Sequence, residues 1–409
     1  AHHLMRLEDG DIVELDADGV RIVDSDDEPV ERPRVPADCP ADAAEKQGYR
    51  HFMLKEIYEQ GPALRATLAE GQRAFGDAQN ATLGALLEKV EHVHLVACGT
   101  SYHAALVACY LIEALAGVPC IAERASEYRY RQPVTRRNSL FVVLSQSGET
   151  ADTLAALRLA NGAGYLATLA ICNQPASSMV QEAQLDLITR AGPEIGVAST
   201  KAFTTQVMTI AQLAIALASR GQAAEHAADK HSAYGLELGR ACVLVDLALE
   251  LEPTIKVLAE QFTDCQNVLF LGRGTLYPIA MEGALKLKEI SYIHAQAHAA
   301  GELKHGPLAL VDEQVPVIAL APTGPLLPKI KANIEEVRAR KGRVFVFTDS
   351  DSGIAEQDGC SVIPMPTTST LSAPLVYTVP LQLLAYHVAD LRGNNVDKPR
   401  NLAKSVTVE

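Results

Sequence analysis

The chain has no apolar run long enough to cross a membrane, and no secretory signal pattern opens it. A soluble, cytoplasmic protein with no membrane partner is therefore expected. It has no basic excess. Among 409 residues, 36 Lys and Arg stand against 50 Asp and Glu, a formal net charge of -14, which argues against a nucleic-acid groove. It has no C-x-x-C pair. Cys39, Cys98, Cys109, Cys120, Cys172, Cys242, Cys265 and Cys360 are scattered, several of them inside apolar runs. That pattern points to reduced, buried thiols rather than disulfides or zinc. Tryptophan is absent and aromatics make up only 5%, yet 48% of residues are apolar. At this length that suffices for two or three domains with cores of their own.

The stretch 139–160 organises the rest. Leu140 to Leu144 is an unbroken apolar run with two valines and a Phe, the pattern of a strand buried on both faces of a parallel sheet. Leu154, Leu157 and Ala160 then recur at helical spacing. Between them lie Ser145, Gln146, Ser147, Gly148, Glu149 and Thr150. A parallel strand feeding a helix puts this turn at the carboxyl edge of the sheet, where open α/β folds bind ligands. Its hydroxyls, its amide and the free N–H groups of the helix start suit a phosphate. The plainer reading is that Ser147 or Thr150 caps the helix.

Residues 5–30 alternate like short strands, with a hairpin turn at Asp18-Gly19, and are too few to fold alone. Residues 31–48 are rich in Pro, Asp and Glu and read as a linker. His51 to Leu87 is helical in pattern, with a break at Gly61-Pro62. A doubly wound α/β unit follows. Its strands are expected at His92 to Ala97, Pro119 to Ala122, Leu140 to Leu144, Tyr165 to Cys172 and Asp186 to Thr189. A turn at Cys98 to Ser101 leads to a helix over His103 to Leu115. Gln206 to Ala218 is a long apolar helix, and 233–262 a helical bridge. A second unit then repeats the first. Val268 to Thr275 matches His94 to Ser101 in type, Val315 to Ala321 matches the Leu140 strand, and Arg343 to Thr348 the Leu166 strand. The period is that of a duplicated domain. The second copy carries Pro322-Thr-Gly-Pro in place of the Ser/Thr turn, so one phosphate pocket per chain is expected, on the first copy.

Three further groups carry chemistry. In a helix over Met281 to Ile290, Glu282, Lys286 and Glu289 share one face. The pattern fits either a solvated ladder of ion pairs or a carboxylate base ordered by its neighbours. His298 and His305 lie in a stretch ending Gly301-Glu-Leu-Lys-His-Gly-Pro. A loop histidine there is either ordinary or an acid/base group. The last residues, Asn394 to Glu409, include Leu402, Val406 and Val408, which would dock the tail by apolar contact and draw Lys404 out of water, as a Schiff-base amine requires.

With these residues in view, the chain resembles the isomerase portion of the glutamine–fructose-6-phosphate aminotransferases, the glucosamine-6-phosphate synthase family. The resemblance runs from about residue 5 to Glu409 and rests on motifs in the expected order. They are Cys98-Gly-Thr-Ser, Ser145-Gln-Ser-Gly-Glu-Thr, Glu194-Ile-Gly-Val-Ala-Ser-Thr-Lys, Glu282-Gly-Ala-Leu-Lys-Leu-Lys-Glu, Gly301-Glu-Leu-Lys-His-Gly-Pro and Pro399-Arg-Asn-Leu-Ala-Lys-Ser-Val-Thr-Val-Glu. It implies two tandem sugar-isomerase (SIS) domains, each a parallel sheet of roughly five strands flanked by helices in flavodoxin-like, doubly wound order. It implies conversion of fructose 6-phosphate and ammonia to glucosamine 6-phosphate, with no metal or organic cofactor. Ser145, Gln146, Ser147 and Thr150 would hold the phosphate. Thr100, Ser101, Val197 and Ser199 would line the sugar site. Lys404 would form the Schiff base, Glu289 would move the proton between C1 and C2, and Glu282 and Lys286 would support it. His305 would open the ring, reaching in from the partner subunit of a homodimer.

On this resemblance 1–35 is the remnant of a glutaminase domain and the start of a linker, and 36–90 the linker and helical lead-in. The first SIS domain is 91–232, the bridging helix 233–261, the second SIS domain 262–393 and the catalytic tail 394–409. Family members begin with a glutaminase domain whose nucleophile is an N-terminal cysteine. Residue 1 here is Ala, so the chain as given is expected not to hydrolyse glutamine and to be a shortened form of a longer enzyme. Two other readings share the phosphate turn. A sugar-phosphate deaminase or deglycase would not need the Lys404 motif. A phosphosugar sensor would carry a basic DNA-binding module, which the acidic charge disfavours.

Overall fold

The structure, a computed structural model, describes residues 3–407 apart from 6, 18, 37–44, 77–80 and 221–223. Cys39, Val408 and the Asp18 of the expected hairpin turn thus lie outside the described residues. Two compact units divide the chain, Ala1–Gln47 and Gly48–Glu409. In the first, β1 (His3–Met5) pairs antiparallel with β4 (Arg34–Pro36), and β2 (Ile12–Leu15) forms a hairpin with β3 (Val20–Val23). The Arg32 guanidinium grips both oxygens of Asp11, at 2.9 and 2.7 Å. Those bonds hold the Asp11 carboxyl at about 2, below the usual carboxylate range.

The second unit opens with α1 (Phe52–Tyr58), α2 (Gln60–Gly76) and α3 (Ala81–Leu87). The break falls at Glu59, not at Gly61-Pro62. Pro62 sits in the first turn of α2, where no intrahelical N–H is needed and its fixed φ fits. The first sheet follows as β5 (His92–Ala97), α4 (Gly99–Ala116), β6 (Cys120–Arg124), α5 (Ala125–Tyr128), β7 (Ser139–Ser145), α6 (Ala151–Asn161), β8 (Ala167–Cys172), α7 (Ser178–Glu182) and β9 (Leu185–Ile188). Its strands are parallel in the order β6-β5-β7-β8-β9. Every residue of β7 is buried, as its continuous apolar run requires. Gly99 takes a φ of +52°, so the chain passes from β5 straight into α4 and the helix begins earlier than His103. Thr100 and Ser101 are therefore helical.

Three helices lead to the second sheet: α8 (Lys201–Ala218), α9 (Ala224–Leu249) and α10 (Glu252–Ala259). The second sheet is built from β10 (Asn267–Gly272), α11 (Leu276–Ser291), β11 (His294–Ala299), β12 (Val317–Leu320), α12 (Leu327–Arg338), β13 (Val344–Thr348) and β14 (Cys360–Pro364), and α13 (Ala373–Leu391) closes the fold. The strand order β11-β10-β12-β13-β14 repeats that of the first sheet, again all parallel. The sequence left β11 and β14 unread. His-Ala-Gln-Ala-His-Ala lacks β-branched residues, and β14 is a short strand at the sheet edge. His298 consequently lies on β11 rather than in an irregular stretch. One apolar core runs from β5 and α4 through α8 to α11 and α13, so the two halves share their interior. Among the described residues no helix is long and apolar enough to cross a membrane.

The tight packing of α11 against α13 is marked by Gly283, where an added Cβ would stand 2.7 Å from Leu381 Cδ1 and 3.1 Å from the Phe270 ring. Gly283→Ala is expected to lower stability by about 1–3 kcal/mol through overpacking, seen as a lower urea midpoint with an unchanged denaturant slope.

Candidate active site

The order of the first sheet reverses between β5 and β7, and the turns after those two strands face one crevice, where ligands bind in such sheets. The turn after β7 is Ser145 to Thr150. Ser145 Oγ accepts the Gly148 N–H at 3.0 Å and lies 3.2 Å from the Thr150 hydroxyl. Ser147 Oγ accepts the Glu149 N–H at 3.2 Å. Gly148 has a φ of +71°, and a Cβ there would strike Ser177, so only glycine allows this path. Thr150 stands at the N-cap of α6, but its side chain makes no capping bond. The plainer capping reading therefore fails for Thr150. The first N–H of α6, from Ala151, is instead donated to the Val406 carbonyl of the C-terminal tail at 3.0 Å. Gln146 flanks the turn, half-buried.

The turn after β5 delivers Thr100 and Ser101 on the first turn of α4. Ser101 Oγ accepts from Gln206 Nε2 at 3.0 Å. Thr100 Oγ1 donates to Glu282 Oε1 at 3.0 Å and accepts from Lys286 Nζ at 3.0 Å. Glu282, Lys286 and Glu289 share one face of α11, but not as a solvated ladder: Glu282 and Lys286 are each only 1% exposed. His103 Nδ1 lies 2.8 Å from Glu282 Oε2, and Lys286 Nζ lies 2.6 Å from Glu289 Oε2. Burial works against the charge of Lys286, but Glu289 and Glu282 outweigh it and raise the ammonium above the ordinary lysine range. The result is a cation held between two carboxylates, with Glu289 the more open of the two.

The tail brings Lys404 to the same crevice. Its Nζ donates to Glu194 Oε2 at 2.7 Å and to the Gly196 carbonyl at 2.8 Å. Ser405 Oγ donates to Ser147 Oγ at 3.3 Å. Glu194 is fully buried, which raises its carboxyl, yet the Lys404 ammonium and the N–H groups of Thr200 and Ala202 outweigh burial and hold it low, at about 2. Ser199 Oγ also donates to Glu194, at 3.1 Å, and the Val197 N–H is donated to the Asp397 carbonyl at 3.1 Å. Among the described residues of the tail, Val396 is buried in the core, but apolar docking is not found around Lys404. Leu402 is 47% and Val406 57% exposed, and polar contacts hold the segment. His305 ends a 3-10 turn, Ala300–His305, and is exposed. The structure therefore does not bring it to the other candidates within one chain.

His103, Gln206, Glu56 and Glu194 escaped assignment from sequence. Only Glu194 left a signal, at the head of a quoted motif. His103 and Gln206 look like ordinary polar positions in apolar helices until the partner helix is in place. Among the described residues no cluster of His, Cys, Asp or Glu could hold a metal ion.

The SIS domain model matches residues 86–216 and 261–391. The glutamine–fructose-6-phosphate aminotransferase [isomerizing] of Escherichia coli is 53% identical over 407 residues, 98% of this chain and 66% of that relative. The chain thus spans about two thirds of the length of the curated relatives it matches. The solved C-terminal domain of glucosamine-fructose-6-phosphate aminotransferase from Francisella tularensis is 47% identical, with a TM-score of 0.82, covering 87% of this chain and 100% of that one. The solved glucosamine-6-phosphate deaminase from Thermotoga maritima is 25% identical, with a TM-score of 0.68, covering 87% and 99%.

The buried charge cluster carries the first expectation for this site. Glu282→Ala strips a partner from Lys286 and His103 and is expected to destabilise the protein by about 3 kcal/mol, measured by urea denaturation.

Proposed function

The chain belongs to the SIS-domain family, in the branch of the C-terminal domain of the glutamine–fructose-6-phosphate aminotransferases, and from that premise we propose that it converts fructose 6-phosphate and ammonia to glucosamine 6-phosphate. The observation that carries this reading is the docking of the tail on the phosphate turn. Ser405 touches Ser147, so its neighbour Lys404 is held beside the place where the anion would sit.

The mechanism follows from the groups present. The Ser145, Ser147 and Thr150 hydroxyls, Gln146 and the N-terminus of α6 receive the phosphate. Thr100, Ser101, Val197 and Ser199 line the sugar. His305 of a second subunit opens the furanose ring, which makes a homodimer part of the proposal. Lys404 attacks C2 of the open ketose and forms an imine, with loss of water. Ammonia displaces the lysine, which leaves as a free amine. Glu289 takes a proton from C1 and returns it to C2, and the C1 hydroxyl becomes the aldehyde of the product. The imine makes the C1 proton acidic enough for a carboxylate. Lys286, paired with Glu289 at 2.6 Å, holds that carboxylate in place. A cytoplasmic location accompanies this reading, because its substrate and product are phosphorylated sugars. The likeness to the Thermotoga deaminase supports one rival, release of ammonia from glucosamine 6-phosphate, which the same turn would serve.

A discontinuous assay separates these readings. Product is expected from fructose 6-phosphate with ammonium chloride. Deamination of glucosamine 6-phosphate without synthesis would contradict the proposal. Lys404→Ala is expected to bind fructose 6-phosphate in calorimetry yet give no turnover. Glu289→Gln is expected to lower kcat by about 10²–10⁴-fold and to suppress exchange of the C1 proton with deuterated solvent.

A further inference from the structure

Beneath the loop that holds Lys404 lies a second carboxyl that the mechanism above does not use. Glu56, on α1, is 1% exposed. Its Oε1 accepts the N–H groups of Ile195, at 2.5 Å, and Gly196, at 3.1 Å. The carbonyl of the same Gly196 accepts from Lys404. Glu56 therefore fixes the backbone that in turn positions the amine. A Cβ on Gly196 would come within 2.9 Å of Glu56 Oε2, so the glycine lets the carboxyl lie directly under the loop. Glu56 Oε2 is itself buried without a partner among the described residues. A bare anionic oxygen in that position would be far costlier than a hydroxyl.

We propose that Glu56 is a positioning residue for Lys404, acting as a neutral carboxylic acid that holds the Ile195–Gly196 backbone while Glu194 alone carries negative charge beside the amine. The inference rests on the reading of Lys404 as the imine-forming lysine. A second anion here would tighten the grip on the ammonium and disfavour the neutral amine that attacks a carbonyl. Burial, then the neighbouring charge of Glu194, pushes the Glu56 carboxyl up to about 8, consistent with this state at neutral pH. The charged groups facing it are Glu194 and Lys404. On its own helix Lys55 is paired with Glu59 at 3.6 Å, and Lys201 of α8 pairs with Glu59 at 2.7 Å. Asp397 turns to the N–H groups of Phe52 and Met53 at the start of α1.

Two measurements on the full chain test this. In the first, the Lys404 imine with fructose 6-phosphate is trapped by borohydride and followed by mass spectrometry. Glu56→Ala is expected to slow trapping about tenfold or more with little change in sugar-phosphate affinity, and Glu56→Gln, which mimics the neutral acid, to restore it. Glu56→Gln as slow as Glu56→Ala would overturn the proposal. The second measurement is the melting temperature against pH. Between about 4.5 and 8 the native state keeps a proton that the unfolded chain has lost, so wild-type stability falls as pH rises through that window. Glu56→Gln is expected to lack this component, so its stability relative to wild type should climb through the window and then level off. Parallel melting profiles would refute a neutral Glu56 even if Glu56→Ala fails to fold. Absence of any trapped imine in the wild-type protein would instead count against Lys404, and the melting profiles would still report on Glu56.

Discussion

A single buried carboxylate, Glu282, joins the two halves of the molecule. It sits on the first helix of the second sheet, and both its oxygens engage the first helix of the other sheet, through Thr100 and His103. It also lies 3.4 Å from Lys286. An unpaired buried charge is strongly unfavourable, and a paired one gains mainly if its remaining bonds are satisfied. The cost of separating α4 from α11 is therefore concentrated at one point. The shared apolar core brings the helices together without direction, whereas the Glu282 bonds fix their register. That register places Glu289 within reach of the crevice that the first sheet opens.

The tail is held by a different kind of contact. Its early part is tied firmly. Asn394 donates to the Ile290 carbonyl, Asp397 receives two N–H groups from the start of α1, and the Arg400 N–H bonds the Tyr292 hydroxyl. Beyond Arg400 the side chains of Leu402 and Val406 stay exposed, and the contacts of the described residues include the two bonds of Lys404, one hydroxyl bond and one backbone bond at the head of α6. A segment that buries so little apolar surface opens locally at little cost. On the proposed reading Lys404 must bond to substrate, release it and return, and an anchored root with a lightly held tip allows that.

The parallel sheets were legible because buried strands read as unbroken apolar runs: Leu140 to Leu144 and Val268 to Leu271 could hardly be anything else. The phosphate turn was legible because hydroxyls clustered around a glycine between a strand and a helix. What escaped was whatever depends on two distant segments meeting. Glu282 and Lys286 have the spacing of a surface ladder, and only the packing of α4 against α11 buries them. Glu56 sits in an ordinary amphipathic helix until the 194–199 loop folds over it. The tail was read as apolar because Leu402 and Val406 flank Lys404, but docking is decided by Glu194, more than two hundred residues away in sequence.

The duplicated sheets explain why the chemistry is divided between them. Each has a left-handed glycine after its first strand, Gly99 at +52° and Gly274 at +56°, and each thus builds the same crevice. In the second copy the facing turn is Pro322 to Pro325. Its two prolines offer no N–H, and both the N–H and the hydroxyl of Thr323 are spent on Asp349, each at 2.6 Å. Freed from anion binding, the second copy can carry acidic side chains on its first helix, Glu282 and Glu289, where the first copy has apolar residues at the matching positions. On the proposed reading those carboxylates, carried on the helix across the crevice, stand clear of the anion and near the carbon that must lose its proton. The proposed reaction needs both an anion grip and a carboxylate base, and two copies of one fold hold the phosphate and that base, two groups of like charge, apart.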